Sequence, residues 1–229
     1  MSSLIAAAAV FLLIHLLVSG TQVRDRIVKV TGEGPYLGLF SLVSIAALTW
    51  MAFAFGKARS DPANVSYWTI SHATRDPAIV LVLIGFLFAV PGLLTNSPTR
   101  VSGGAIVDKP DAAKGMTRVT RHPFLWGAAI WALGHIIANG RTADLILFGT
   151  ILVLALMGTA SIDGKRQRAL GERYTVFKTK TSNIPFVAIA QGRQSFSLRE
   201  IWWRLAVGLV LWGVVLYFHP KWFGVNPLG

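Results

Sequence analysis

The sequence predicts an all-α polytopic membrane protein, a single bundle over residues 1–229 with about six transmembrane helices and one amphipathic helix lying on the cytoplasmic interface. Three observations predict it. Apolar residues make up 53% of the 229 positions, and mean hydropathy is +0.56. Charged residues are only 14%, where a soluble domain carries about 25%. The apolar residues fall in long runs bounded by Gly, Pro or charge, without the period-two alternation of a barrel strand, so only helices satisfy the backbone in hydrocarbon.

The runs cover 4–18, 35–55, 77–94, 123–138, 143–160 and 201–218. The first is followed by small residues, but no Lys or Arg precedes it, so it reads as a span and not as a signal peptide. Pro35, Pro77 and Pro123 each fall where a first helical turn is expected, since a missing N–H matters least there. Alternating the spans puts 17 of the 22 Lys and Arg on one side and five on the other. The positive-inside rule then makes the basic loops cytoplasmic and both termini periplasmic, as in a bacterial inner membrane.

Three loops are long. The 95–121 loop carries Pro98, Gly103, Gly104 and Pro110 and has the length of a functional lid. The 161–200 loop opens with Leu170, Tyr174 and Phe177 at helical spacing opposite Lys165, Arg166, Arg173 and Lys178, which reads as a helix on the lipid interface. The 56–76 loop carries Trp68 and His72 on the outer side.

Several function classes are excluded early. With no cysteine there are no disulfides, no thiolate metal ligands and no cysteine nucleophile. The net charge of +12 does not call for nucleic acid, because Lys and Arg beside anionic lipid account for it. No nucleotide loop, zinc spacing or nucleophile elbow is present.

Of the five histidines only His15 and His135 fall inside apolar runs. An ionisable group at that depth is expensive and marks a candidate site. His15 lies about 16 Å in from the outer face and His135 about 20 Å in from the inner one, at 1.5 Å per residue. Across about 30 Å of hydrocarbon they differ in depth by roughly 5–10 Å. Two neutral imidazoles between helices suit a haem iron; they equally suit hydrogen bonds that glue helices together. Met51 is a competing axial ligand or plain packing. Each of the two histidines opens a similar hexapeptide, His15 to Gly20 and His135 to Gly140, the latter containing Asn139, and the two would run in opposite directions.

The densest polar stretch is Arg118-Val-Thr-Arg121-His122-Pro123, followed by Trp126 and Gly127. Two arginines at a helix N-terminus form a cationic mouth suited to a carboxylate, a phosphate or a haem propionate. They are also ordinary boundary residues, with Trp126 in the aromatic belt. Asp163, after the fifth span, is placed to pair with Arg121 or Arg166, and an exposed pair of that kind carries little energy.

These residues resemble the NnrU family, a membrane family associated with bacterial denitrification and related to plant 15-cis-zeta-carotene isomerase. The resemblance runs through His15-Leu-Leu-Val-Ser, Thr120-Arg121-His122-Pro123, Leu125-Trp126-Gly127, Trp131-Ala-Leu-Gly-His135, Ala138-Asn139-Gly140 and Thr181-Ser182 before Pro185-Phe186. It implies a haem b protein whose iron is held by two histidines, matching His15 and His135, with His122 in a supporting or propionate-facing role. The isomerase has a cysteine three residues before its second histidine; this chain has Ala132, so a thiolate ligand switch is not available to it. Arg121-His122-Pro123, Leu170-Gly171 with Tyr174, and Ile184-Pro185 also look like the isoprenylcysteine carboxyl methyltransferase superfamily, which would imply S-adenosylmethionine, although the acidic pair of those enzymes is missing.

The resemblance favours nitrogen-oxide chemistry or isomerisation of a lipophilic polyene by a haem protein with Arg118, Arg121, His122, Trp126 and Asn139 around the cofactor. A methyltransferase and a non-catalytic assembly partner of a respiratory reductase are the alternatives. Whether the chain is an enzyme stays open at this point.

Overall fold

The computed structural model describes residues 1–100, 103–109 and 112–229. Pro110 of the long loop lies outside the described residues. The helices are α1 Ser2–Leu13, continued by a π turn Ile14–Val18; α2 Gln22–Thr31; α3 Glu33–Ala58; α4 His72–Leu94; a 3-10 turn Gly103–Ile106; α5 Met116–Val119; α6 Pro123–Ala138; α7 Thr142–Leu170; α8 Glu172–Lys180; α9 Val187–Ala190; and α10 Leu198–Phe223. No strand forms among the described residues.

Every expected run lies on a helix. Four helices, α3, α4, α7 and α10, are long and apolar enough to cross a membrane alone, and α1 with α2 makes a fifth if that bent pair counts as one span. The sixth, α6, is apolar but has 16 residues, about 24 Å at 1.5 Å per residue. By length and composition the structure therefore supports four or five spans of the expected six.

Three boundaries differ from expectation, each for a local reason. α4 starts at His72, five residues before Pro77, because the Thr74 hydroxyl accepts the Ser71 N–H at 2.9 Å and fixes the turn. The expected interfacial helix is split: α7 runs on through its basic residues to Leu170, breaks at Gly171 with φ +55°, and α8 follows. α2 was not expected at all. Thr21 caps it by accepting the Val23 N–H at 3.2 Å, and it turns 75° away from α1. Its sequence signal was the spacing of Val23, Ile27 and Val30 with Asp25 in the first turn, masked by four charged residues among ten.

α4 and α6 pack backbone to backbone. A Cβ on Gly127 would lie 2.4 Å from the Ala89 nitrogen, and one on Gly85 would lie 2.9 Å from that of Trp131. Small residues allow this approach, which replaces the hydrophobic effect as the source of helix association in lipid. α7 covers the other side of α6, α10 packs on α4, and α1 packs on both α3 and α7. Leu4, Ala7, Ala8, Met51, Ala54, Ala58 and Ala143 form the core between α1, α3 and α7. Met51 is fully buried there, as packing.

The Met1 ammonium pairs with Asp61, and Arg75 donates to the Leu228 carbonyl at 3.2 Å. Both termini therefore sit at the end holding the α3–α4 connection. The opposite, basic end holds the 95–121 and 181–197 segments.

Candidate functional site

The basic end is built around one carboxylate. Thr120 is extended between α5 and α6, and residues 119–121 pair with the segment after α8. The Arg121 N–H donates to the Ser182 carbonyl at 2.8 Å, the Phe186 N–H to that of Val119 at 2.8 Å, and the Thr120 hydroxyl to that of Asn183. The Trp126 indole donates to the Asn183 carbonyl at 2.9 Å, so it pins this segment and does not simply float in the aromatic belt.

Asp163 collects what this pairing aims inward. Its Oδ2 accepts Arg121 Nη2 at 2.6 Å; its Oδ1 accepts Arg121 Nε at 3.3 Å, His122 Nε2 at 2.8 Å and the Tyr174 hydroxyl at 2.6 Å. An ionised carboxylate only accepts, so His122 carries its hydrogen on Nε2. Burial pushes the Tyr174 phenol well above its usual range, so it remains a donor. The Arg121 and Asp163 side chains are 8% and 14% exposed, and that of His122 is 1% exposed. The pair expected to be an exposed one is thus buried and charge-assisted, and removing either partner would strand the other.

The cationic mouth is therefore largely occupied by the chain itself. Arg121 is spent mainly on Asp163, and Arg118 holds Glu200 through Nε at 3.0 Å and Nη2 at 2.9 Å. α8 is amphipathic as expected, but Tyr174 and Phe177 pack against Val107, Ala112 and Leu170, so its apolar side is covered by the 95–121 loop. Arg173 on the same helix pairs with Asp108. Beside the carboxylate node lies an open basin of about 520 Å³, lined by Arg121, Thr175, Lys178, Thr179, Thr181, Ser182 and Arg193.

The two histidines at membrane depth sit elsewhere and share one local design. His15 Nδ1 donates to the Phe11 carbonyl at 2.8 Å, and His135 Nδ1 to the Trp131 carbonyl at 2.9 Å, each four residues back. Each ring lies against the aromatic at that position, with centroids 4.4 Å apart for Phe11 and 4.3 Å for Trp131. His15 also meets Phe40 at 5.2 Å, and His135 stacks on Phe148 at 4.6 Å. Asn139 donates to the His135 carbonyl at 2.9 Å, and the Trp68 indole to that of Ile137 at 3.0 Å, closing the end of α6.

Their depths follow from α7. His135 stacks on Phe148, and Gly20, five residues beyond His15, sits against Ser161. The two histidines therefore lie at different levels along α7. The structure thus brings Arg121, His122 and Trp126 together, places Arg118 beside them on Glu200, and keeps His15 apart from His135 and Asn139. The Asp163–Arg121 pair was expected; the sharing of Asp163 with His122 and Tyr174, and Phe148 and Phe40 as ring partners, were missed. The local signal that existed was the aromatic four residues before each histidine.

Fold and sites define a polytopic helical membrane protein with two imidazoles at membrane depth and a buried carboxylate node at its basic end. The chain belongs to the NnrU family: the family model described as NnrU protein matches residues 3–227. It is 29% identical over 191 residues to a 15-cis-zeta-carotene isomerase, chloroplastic, of Zea mays, covering 81% of this chain and 50% of the maize protein. It is 28% identical over 189 residues to the protein of the same name from Arabidopsis thaliana, covering 81% and 49%. The chain thus spans about half the length of the curated relatives it matches. No solved structure matches it.

Proposed function

We propose that this protein is a bacterial inner-membrane haem b protein that isomerises a lipophilic polyene inside the bilayer, with His15 and His135 as the two imidazole ligands. The observation that carries the reading is their shared preparation. Each Nδ1 is held by a carbonyl of its own helix, which fixes the tautomer and leaves a neutral Nε2, the form and the second-shell bond a metal-ligating histidine uses. Two neutral imidazoles on separate helices are a donor set that a haem iron would take, with His15 and His135 as the residues that would hold it. Haem iron supplies Lewis-acid or one-electron chemistry at a double bond.

The chain's own part is placement and exclusion of water. Phe11 and Phe40 seat one ring, Trp131 and Phe148 the other, and the apolar helices give a lipophilic substrate its way in from lipid. The names of the plant relatives support a polyene as the substrate class. Ala132 is fully buried on α6 and would offer no thiolate to a bound iron. The Asp163 node fixes the start of α6 rather than holding a propionate. The basic end faces the cytoplasm, where its cations meet anionic lipid. The methyltransferase alternative is weaker, because the basin at this end presents cations to what would be a sulfonium ligand.

The test is an optical spectrum of the full chain expressed with ample haem, oxidised and reduced, together with conversion of a cis polyene in membranes containing it. A Soret band that shifts in both His15→Ala and His135→Ala is expected. No Soret band, or a spectrum that neither substitution alters, overturns the haem reading; a normal spectrum without conversion of any polyene overturns the isomerase reading.

A further inference from the structure

The basin beside the node is not used by that reading, and its chemistry is one-sided. Several cations at the basic end are neutralised by a carboxylate. Arg118 has Glu200, Arg121 has Asp163, Arg173 has Asp108, and Arg24 has Glu33. Lys178 and Arg193, which line the basin, have none among the described residues. Arg193 donates Nη1 to the Thr179 and Thr181 carbonyls, both at 2.7 Å, and Nη2 to the Gln191 side chain at 2.6 Å. These acceptors are neutral, so its position is fixed while its charge stays uncompensated.

The hydroxyls repeat the pattern. Thr175 Oγ1 accepts from Gln167 at 2.9 Å, and Ser182 Oγ accepts the Ala188 N–H at 3.0 Å, so each keeps its hydrogen to donate. Arg121 has five N–H groups, of which three are committed to Asp163 and the Thr181 carbonyl. No carboxylate lines the basin. A concavity supplying spare donors and net positive charge, with its arginines held in place by other bonds, is preorganised for an anion with several acceptor oxygens.

We propose that this basin binds a phosphate-bearing anion, with Lys178 and Arg193 supplying charge and Thr175, Ser182 and the spare N–H groups of Arg121 donating hydrogen bonds. A phosphate offers more acceptor positions than a carboxylate, which matches the number of spare donors. The group is carried either by the headgroup of an anionic phospholipid at the adjoining leaflet or by a soluble phosphate.

The test uses the full-length protein in a detergent with a neutral headgroup. Calorimetry follows titration with inorganic phosphate in one arm, with short-chain phosphatidylglycerol in a second, and with short-chain phosphatidylcholine as the control lipid. Saturable binding in the phosphate arm identifies a soluble source, and saturable binding of phosphatidylglycerol alone identifies the headgroup. In either case Lys178→Ala is expected to weaken binding about tenfold, the loss of one charge-assisted bond, and Thr175→Val to weaken it less. Lys180→Ala, whose side chain lies outside the lining, leaves it unchanged. Lys178 has no partner to lose among the described residues, so its replacement tests binding and not folding. The proposal falls if neither anion saturates, if phosphatidylcholine binds as well as phosphatidylglycerol, or if Lys180→Ala weakens binding as much as Lys178→Ala.

Discussion

The segments 11–20 and 131–140 are built alike and housed differently. Each starts with an aromatic, places a histidine four residues later and donates its Nδ1 back to the aromatic's carbonyl. Each ends on a glycine pressed against another part of the chain: a Cβ on Gly20 would lie 2.3 Å from Ser161 Oγ, and one on Gly140 would lie 2.4 Å from the Trp68 carbonyl. The differences are in the surroundings. His15 sits in a π turn, where the Ser19 N–H reaches the Ile14 carbonyl at 3.0 Å, and its ring has Phe40 edge-on. His135 sits in a regular α-helix, sandwiched between Trp131 and Phe148 and backed by the glycine contacts of α4. Ten residues of sequence prepare an imidazole; helix packing decides how firmly it is held. π turns interrupt helices most often at functional sites, and the looser of the two histidines is the one that has one.

If the comparison concerns the histidines alone, the basic end must be separable from both. Asp163→Asn, which strands the Arg121 charge, is expected to destabilise the protein by about 3–5 kcal/mol while leaving any haem spectrum per folded molecule unchanged. Thermal unfolding in detergent and absorbance on the same sample read the two quantities, and a spectral change without loss of stability would couple the regions. Next in size, His135→Ala opens a space between Trp131 and Phe148 and should cost about 2–4 kcal/mol, whereas His15→Ala in the looser setting should cost about 1 kcal/mol or less. Equal losses in the two variants would erase the difference in housing. Smaller still, Gly140→Ala forces Trp68 off the end of α6 and should cost about 1–3 kcal/mol. Gly149→Ala on α7, with nothing near its would-be Cβ, should stay within about 1 kcal/mol of the parent.

The helices were legible because lipid demands long apolar runs, and His15 and His135 because a polar group at depth stands out against them. Asp163 was legible as a partner of Arg121, but Asp163 and Tyr174 were not legible as one buried node. They lie 42 and 53 positions from Arg121, and only the packing of α7 and α8 onto the 119–122 segment joins them. The carboxylate that Arg118 meets was not legible for the same reason, since Glu200 is 82 positions away from it. α2 was lost between its short length and its charges, and the lipid-covered face assigned to α8 became a protein contact once the 95–121 loop was seen to fold over it.

α7 joins the two ends of this account mechanically. It carries Phe148 against the His135 ring and Asp163 in the node, 15 residues or about 22 Å apart on one unbroken helix. A hydrogen-bonded helix resists stretching, so these two side chains keep a fixed spacing. α7 acts as a strut: a slide along its axis that moves Asp163 moves the floor under His135 by the same amount.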